Sequence, residues 1–211
     1  MTINWYGQSC FRLTSKDTSL LIDPFSKEIG LRTPRLNDNI FVVTHDHYDH
    51  NNLDGIPSEA FVVRGPGEYE IKGVFVQGIS SYHDKVEGKE RGLNTMYLIN
   101  MEEMNICHLG DFGQEKLNEE QVDALGDVDI LMIPVGGKYT INSQEAVEII
   151  SQVEPKIIIP MHYKVEGLKV DIEDAKKFVK AIGLKPEEVE SFKINKKTLP
   201  QEETKLVMFK F

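Results

Sequence analysis

Thiols are scarce in this chain: Cys10 and Cys107 are the only cysteines among 211 residues. Both lie in apolar, strand-like contexts far apart in sequence, which predicts reduced core residues rather than a disulfide. Long apolar runs are missing too. None approaches the ~18 consecutive apolar residues that read as a bilayer span, so no membrane association is expected. The opening MTINWYGQSCFRL lacks a basic segment followed by an apolar core of roughly 7–15 residues, the pattern of a secretory signal. A cytoplasmic location is therefore the expectation. Positive charge is in deficit, with 24 Lys and Arg against 34 Asp and Glu and a formal net charge of -10. That balance argues against a general affinity for nucleic-acid backbone, which needs clustered cations.

What is present is a globular balance, 40% hydrophobic and 27% charged, which carries no signature of disorder. The length suits one domain over residues 1–211. The first half is dense in short strand patterns: 3–13, 19–22, 41–44, 60–64, 73–78, 93–99 and 104–109. The Gly65-Pro66-Gly67-Glu68-Tyr69 stretch reads as a turn, and Asn100 to Glu103 as another. The second half changes rhythm. Helical spacing is expected over 114–125, 143–153 with Ser143 as N-cap, and 171–182 with Gly183 as the stop. Short apolar strands are expected at 130–135, 157–160 and 205–211. Strands in series with helices inserted late predict a layered α/β sandwich.

All six histidines, His45, His47, His50, His83, His108 and His162, fall at or just beyond the end of an expected strand. Loops at one rim of a sheet are where functional side chains are held. The densest stretch is Thr44 to Asn51, THDHYDHN. At i and i+2 of an extended segment, His45 and His47 project to the same side and can grip one ion. Asp49 and His50 follow after the chain begins to turn and point to a second position nearby. Imidazole and carboxylate without thiolate suit Zn²⁺, with Mn²⁺ or Fe²⁺ as alternatives. More candidate ligands than one closed structural site needs point to two ions with open positions, and so to catalysis.

These residues resemble the H-x-H-x-D-H signature of the metallo-β-lactamase superfamily. The likeness extends to its lactonase-like Zn-dependent hydrolases in Trp5-Tyr6-Gly7-Gln8-Ser9, Gly65-Pro66-Gly67-Glu68-Tyr69 and Cys107-His108-Leu109-Gly110-Asp111. Pro134-Val135-Gly136-Gly137 and Pro160-Met161-His162-Tyr163 fit as well, so the blocks run from about residue 5 to about residue 165. The resemblance implies a four-layer αββα sandwich and two zinc ions. His45, His47 and His83 would hold one ion, Asp49, His50 and His162 the other, with Asp111 bridging. His108 competes with His83 for the third place on the first ion. Otherwise it is expected to orient Asp111 or meet substrate, a catalytic role. Relatives often read Gly-His-Ser where this chain has Gly7-Gln8-Ser9, so Gln8 keeps a hydrogen-bonding group that cannot titrate.

The chemistry so implied is hydrolysis of an ester, lactone, amide or phosphodiester by a metal-bridging hydroxide. Asp49 would orient that hydroxide and carry a proton toward the leaving group. The partner is then a small molecule. Lys138 or Lys164 beside the site would favour an anionic one, whereas Arg91 reads equally as a solvated surface charge. A nuclease or phosphodiesterase of the same fold, and a non-catalytic metal-binding or regulatory protein, are the alternatives. A homo-oligomer is compatible with the sequence.

Overall fold

The computed structural model describes Met1 to Phe211 throughout. Its first strand pattern divides in two: β1 (Thr2–Trp5) and β2 (Phe11–Thr14) pair antiparallel, with Trp5 opposite Phe11. The expectation of one strand over 3–13 fails at Gly7 and Gln8, whose φ angles of 91° and 52° turn the chain back on itself. β3 (Ser19–Ile22), β4 (Ile40–Val43) and β5 (Phe61–Arg64) follow as parallel neighbours. With the late β13 (Phe192–Lys193) they form a six-stranded sheet ordered β13-β1-β2-β3-β4-β5.

The second sheet opens with two antiparallel hairpins. β6 (Gly67–Ile71) turns into β7 (Val74–Tyr82) through Lys72 and Gly73, and β8 (Leu93–Met101) into β9 (Met104–His108) through Glu102 and Glu103. Both residues of each turn have positive φ, which matches the right-handed strand twist. The Gly65–Tyr69 stretch, read from sequence as a turn, is thus already β6 from Gly67 onward. Parallel strands β10 (Ile130–Pro134), β11 (Ile157–Met161), β14 (Lys205–Phe209) and β12 (Pro186–Val189) complete eight, ordered β12-β14-β11-β10-β9-β8-β7-β6.

Strand parity sorts the core. Leu20, Ile22, Ile40 and Val42 face the second sheet within one large apolar cluster. Leu21 and Phe41 point the other way, onto Cys10, Phe25, Ile29 and Leu168 in a second cluster. β3 and β4 are buried on both faces, which is why they read as unbroken apolar runs. A 3-10 turn (Lys27–Ile29) and loops fill the outer layer there. Helices α1 (Glu119–Leu125), α2 (Ser143–Val153) and α3 (Lys176–Ile182) cover the outer face of the second sheet. The α/β class and the two-sheet sandwich stand as expected. No helix is long and apolar enough to cross a membrane. Cys10 and Cys107 are free and buried in separate clusters.

Side-chain caps, not apolar spacing, decide the starts of α1 and α2, whereas α3 begins at Lys176 rather than at Asp171, after an Ala175 that makes no side-chain cap. α1 begins after Asn118 rather than at Gln114, through a capping box with Gln121. The N-cap of α2 is Asn142, whose side chain accepts from the backbone of Gln144 and Glu145; Ser143 is inside the helix. Replacing Asn142 with Ala should therefore cost about 1 kcal/mol in chemical denaturation. Ser143→Ala should cost clearly less, and the reverse order would return the cap to Ser143.

Candidate metal centre

One rim of the sandwich collects the strand ends. Asp23 follows β3; His45, His47, Asp49 and His50 follow β4; His83 follows β7; Asp111 follows β9; and His162 follows β11. The β1–β2 turn adds Gln8 and Ser9 from the side. Two glycines let these segments meet. A Cβ on Gly110 would stand 2.4 Å from Asn94 Oδ1, and one on Gly136 would stand 2.1 Å from the His162 carbonyl oxygen.

Three donor groups result, each with ligand atoms within 4.8 Å of one another: His45, His47 and His83; His45, His50 and Asp111; Asp49, His50 and His162. Asp111 Oδ2 is the common point. It lies 3.1 Å from His162 Nε2, 3.3 Å from both His50 Nε2 and His83 Nε2, and 3.9 Å from His45 Nε2. All these residues are buried except His47, which is partly open to solvent. The Nε2 atoms of His45, His50 and His162 are buried without a hydrogen-bond partner. Each such atom costs about 1–3 kcal/mol if left unsatisfied. A shared cation is the partner that this donor chemistry fits, and neither cysteine lies in the cluster.

Ring orientation is set from behind by Asp23, which the sequence reading passed over. Its Oδ2 takes the His50 Nδ1–H at 2.9 Å and the Thr44 hydroxyl at 2.7 Å. Its Oδ1 accepts from the Thr44 backbone at 2.8 Å. Since the Thr44 hydroxyl donates to Asp23, its lone pairs face His45 Nδ1 at 3.0 Å, which must carry the proton. In its neutral form each imidazole thus presents an Nε2 lone pair to the centre, the tautomer that a metal requires. Gln8 Nε2 donates to Asp49 Oδ2 at 2.8 Å, Ser9 Oγ reaches Asp111 Oδ1 at 3.3 Å, and Asn94 Oδ1 takes the Asp111 backbone N–H at 3.0 Å. Gln8, Asp23 and His162 are the buried non-glycine residues with positive φ, and all three stand here. Such strain clusters at functional sites.

The groups polarise one another. Burial pulls His50 down, but the carboxylates of Asp111, Asp49 and Asp23 outweigh it and hold its pKa well above the ordinary value. Burial, then the neighbouring His50, drives His45 to about 2. Burial also lowers His47, with His83 adding to the effect. Asp49 is held at about 2, since His50 and His162 outweigh a burial that would raise it. Asp111 lies well below the usual carboxylate range because His162 and His50 oppose its burial. Both carboxylates are therefore ionised across the neutral range.

His83 joins the cluster, its ring centroid 4.8 Å from that of His45 and 5.1 Å from that of His47. His108 does not, and its expected catalytic role needs correction. It is fully buried, its Nε2–H donates to the Ser9 carbonyl at 2.9 Å, and its Nδ1 accepts from the Gly110 backbone at 3.1 Å. With both nitrogens engaged it can neither ligate nor meet substrate. It braces Ser9, whose hydroxyl touches Asp111. The two lysines weighed as substrate contacts are engaged as well. Lys138 pairs with Asp171, and Lys164 Nζ donates to the carbonyls of Leu168 and Val170.

Residues 2–162 match the family described as the beta-lactamase superfamily domain. A UPF0173 protein of Pyrococcus abyssi is 30% identical over 218 residues, covering 89% of this chain and 98% of that one. A UPF0173 metal-dependent hydrolase of Thermoplasma volcanium is 31% identical over 211 residues, covering 86% and 92%. Among solved structures, a Thermotoga maritima protein assigned to the Zn-dependent hydrolases of the metallo-beta-lactamase superfamily matches with a TM-score of 0.80. The two are 30% identical, over 99% of this chain and 97% of that one. Sharing that fold over nearly its whole length, and matching the family from β1 to His162, the chain belongs to the beta-lactamase superfamily, in its metallo-β-lactamase branch.

Proposed function

We propose that the chain is a metal-dependent hydrolase working with two divalent cations, zinc foremost, with Mn²⁺ and Fe²⁺ as the other fits. The observation that carries this is Asp111 Oδ2, set within 3.3 Å of histidines from both sides of the cluster. Supporting it are the unpartnered Nε2 atoms and the relatives described as metal-dependent or Zn-dependent hydrolases. In this reading His45, His47 and His83 would hold one ion, and Asp49, His50 and His162 the other. Asp111, within 3.3 Å of His50, His83 and His162, would be shared between them. When bound, such cations would lower the pKa of a water and polarise the oxygen under attack, chemistry that serves ester, lactone, amide and phosphodiester substrates alike.

The chain's own groups do the positioning and move the proton. Asp23 and Thr44 fix the faces that His50 and His45 present. Asp49 is an ionised carboxylate held by the Gln8 amide, ready to align the attacking water and pass a proton toward the leaving group. Gln8 Oε1 is buried beside it without a partner and offers a second acceptor at that point. The partner is a small molecule, and the protein acts in the cytoplasm.

Replacing Asp49 with Ala should lower kcat by at least about 100-fold, the low end for a lost acid–base group, in a protein that still folds. A folded, metal-replete Asp49→Ala protein with full turnover sinks the mechanism. Gln8→Leu should cost roughly 10- to 100-fold, as for groups that orient a metal ligand. Chelation should abolish hydrolysis and lower the melting temperature, because a cation bound only by the folded state stabilises it. Zinc should restore both properties at two ions per chain by elemental analysis. Less than one ion per chain counts against the paired site, and a metal-loaded protein inactive on all four bond classes returns it to a non-catalytic role.

A further inference from the structure

The cavity beside the cluster has a volume of about 1050 Å3 and contains His45 and His47 in its wall. It follows the end of β7, where Ile79 to Tyr82 run beyond the pairing with β6, and reaches α1. Such a groove is large enough for a substrate well beyond the cleaved bond itself. Two cationic side chains line it, Arg64 and Arg91. Arg64 sits 3.8 Å from Asp46. Arg91 makes no ion pair, and its guanidinium donates no hydrogen bond within the chain.

Arg91 is nonetheless held in place at both ends. Its backbone N–H donates to Asp84 Oδ2 at 2.8 Å, within a loop whose other amides, from Val86, Gly88 and Glu90, also converge on that carboxylate. Its guanidinium lies 4.6 Å over the ring of Tyr139. Stacking fixes the plane of the group and leaves the edge with its N–H fork free. Immediately beyond lies apolar surface. Leu93 is 70% exposed and stands directly opposite Tyr82, 37% exposed, in the β7–β8 register, and both line the same cavity. A fixed, unneutralised fork beside an exposed apolar pair is the complement of an amphiphile.

We infer that Arg91 is the anion-recognising residue of this cavity, and that the substrate carries a carboxylate or phosphate on an apolar body. The inference rests on the hydrolase reading and supplies its substrate class. A fork of two N–H donors meets either group in bidentate fashion, and such a charge-assisted pair discriminates where an ammonium would not. Leu93 and Tyr82 take the apolar part, and the scissile bond lies toward His45 and His47.

The test uses the full-length zinc-loaded protein, with Arg91→Gln and Arg91→Lys matched to wild type in zinc content and melting temperature. Glutarate and propyl phosphate are titrated by calorimetry, so that the tighter of the two identifies the anion. Arg91→Gln should weaken that probe about tenfold, the lower range for a hydrogen bond to a charged group, and Arg91→Lys should recover only part of the loss. In parallel, kcat/KM is measured for the 4-nitrophenyl half-ester of glutarate and for neutral 4-nitrophenyl butyrate. The charged-to-neutral ratio should fall about tenfold in Arg91→Gln. Equal binding of both probes by wild type and Arg91→Gln would show the anions to be held by zinc alone and would overturn the assignment. Absence of binding by wild type overturns it too. If Arg91→Gln loses anion binding but wild type cleaves neither ester nor any other bond class, the anion site stands and the hydrolase reading falls.

Discussion

The centre depends on a single buried carboxylate, Asp23, and on the direction of the protons around it. Two histidines from one loop must both turn an unprotonated nitrogen inward, although the neutral imidazole has two tautomers of similar energy. Asp23 removes the choice for His50 directly and for His45 through the Thr44 hydroxyl. It can do so because β3 and β4 are parallel neighbours in register, Ile22 beside Val42, which brings the residue after β3 under the loop after β4. Asn at this position would keep the shape but could offer an N–H where His50 needs an acceptor. The sheet register and the protonation of these two histidines are therefore one constraint.

Folding such a site has a local cost. Gln8, Asp23 and His162 occupy left-handed backbone conformations in a buried setting, at about 1–3 kcal/mol each. The rest of the chain holds them there. The Gln8 carbonyl accepts from the Trp5 indole at 3.0 Å and from the His162 backbone at 3.0 Å, so two strained residues on opposite sheets restrain each other. Trp5 in turn packs on Tyr163, 5.0 Å between ring centroids, next in sequence to His162. The inter-sheet core is thus also the clamp on the site. Imidazoles buried without partners add to the same strain, and relieving it is part of what a cation contributes on binding.

How much of this the sequence shows follows from where each signal resides. Residues that meet because strands end at a common rim are legible: His45 to His50, Asp111 and His162 follow apolar strands that periodicity finds, while His83 follows the half-polar end of β7. Partners recognised only by direction are not. Asp23 also follows an apolar strand, but a lone Asp before Pro24 looks like ordinary turn chemistry. His108 looked functional because it sits three residues from Asp111, yet the last residue of β9 points into the sandwich while Asp111 lies beyond the turn at Gly110. β12 and β13 escaped because PEEV and FK carry no alternation of their own. They are strands only because β14 and β1 offer them an edge. The start of α1 and the cap of α2 are hidden for a related reason, since Asn118 and Asn142 act through side-chain geometry that apolar spacing does not encode.

The loop between β7 and β8 separates chemistry from recognition. His83 is fixed at its root by a backbone bond from its own N–H to the Gly92 carbonyl, 3.1 Å, which closes the loop on itself. Inside that closure Asp84 gathers four backbone amides. Burial pushes its carboxyl up, but those donors outweigh it and hold the pKa at about 2. The loop's shape is therefore set by its ends and by one aspartate, not by the side chains it displays. Val86, Glu90 and Arg91 can change without displacing His83, because none of their side chains is needed to keep the loop closed. A scaffold in this state can keep one metal centre and alter what enters the cavity beside it, which is how a single fold comes to serve many substrates. In this chain the surface so displayed is a guanidinium stacked on Tyr139 beside an exposed Leu93, carried by a loop whose closure depends on neither side chain.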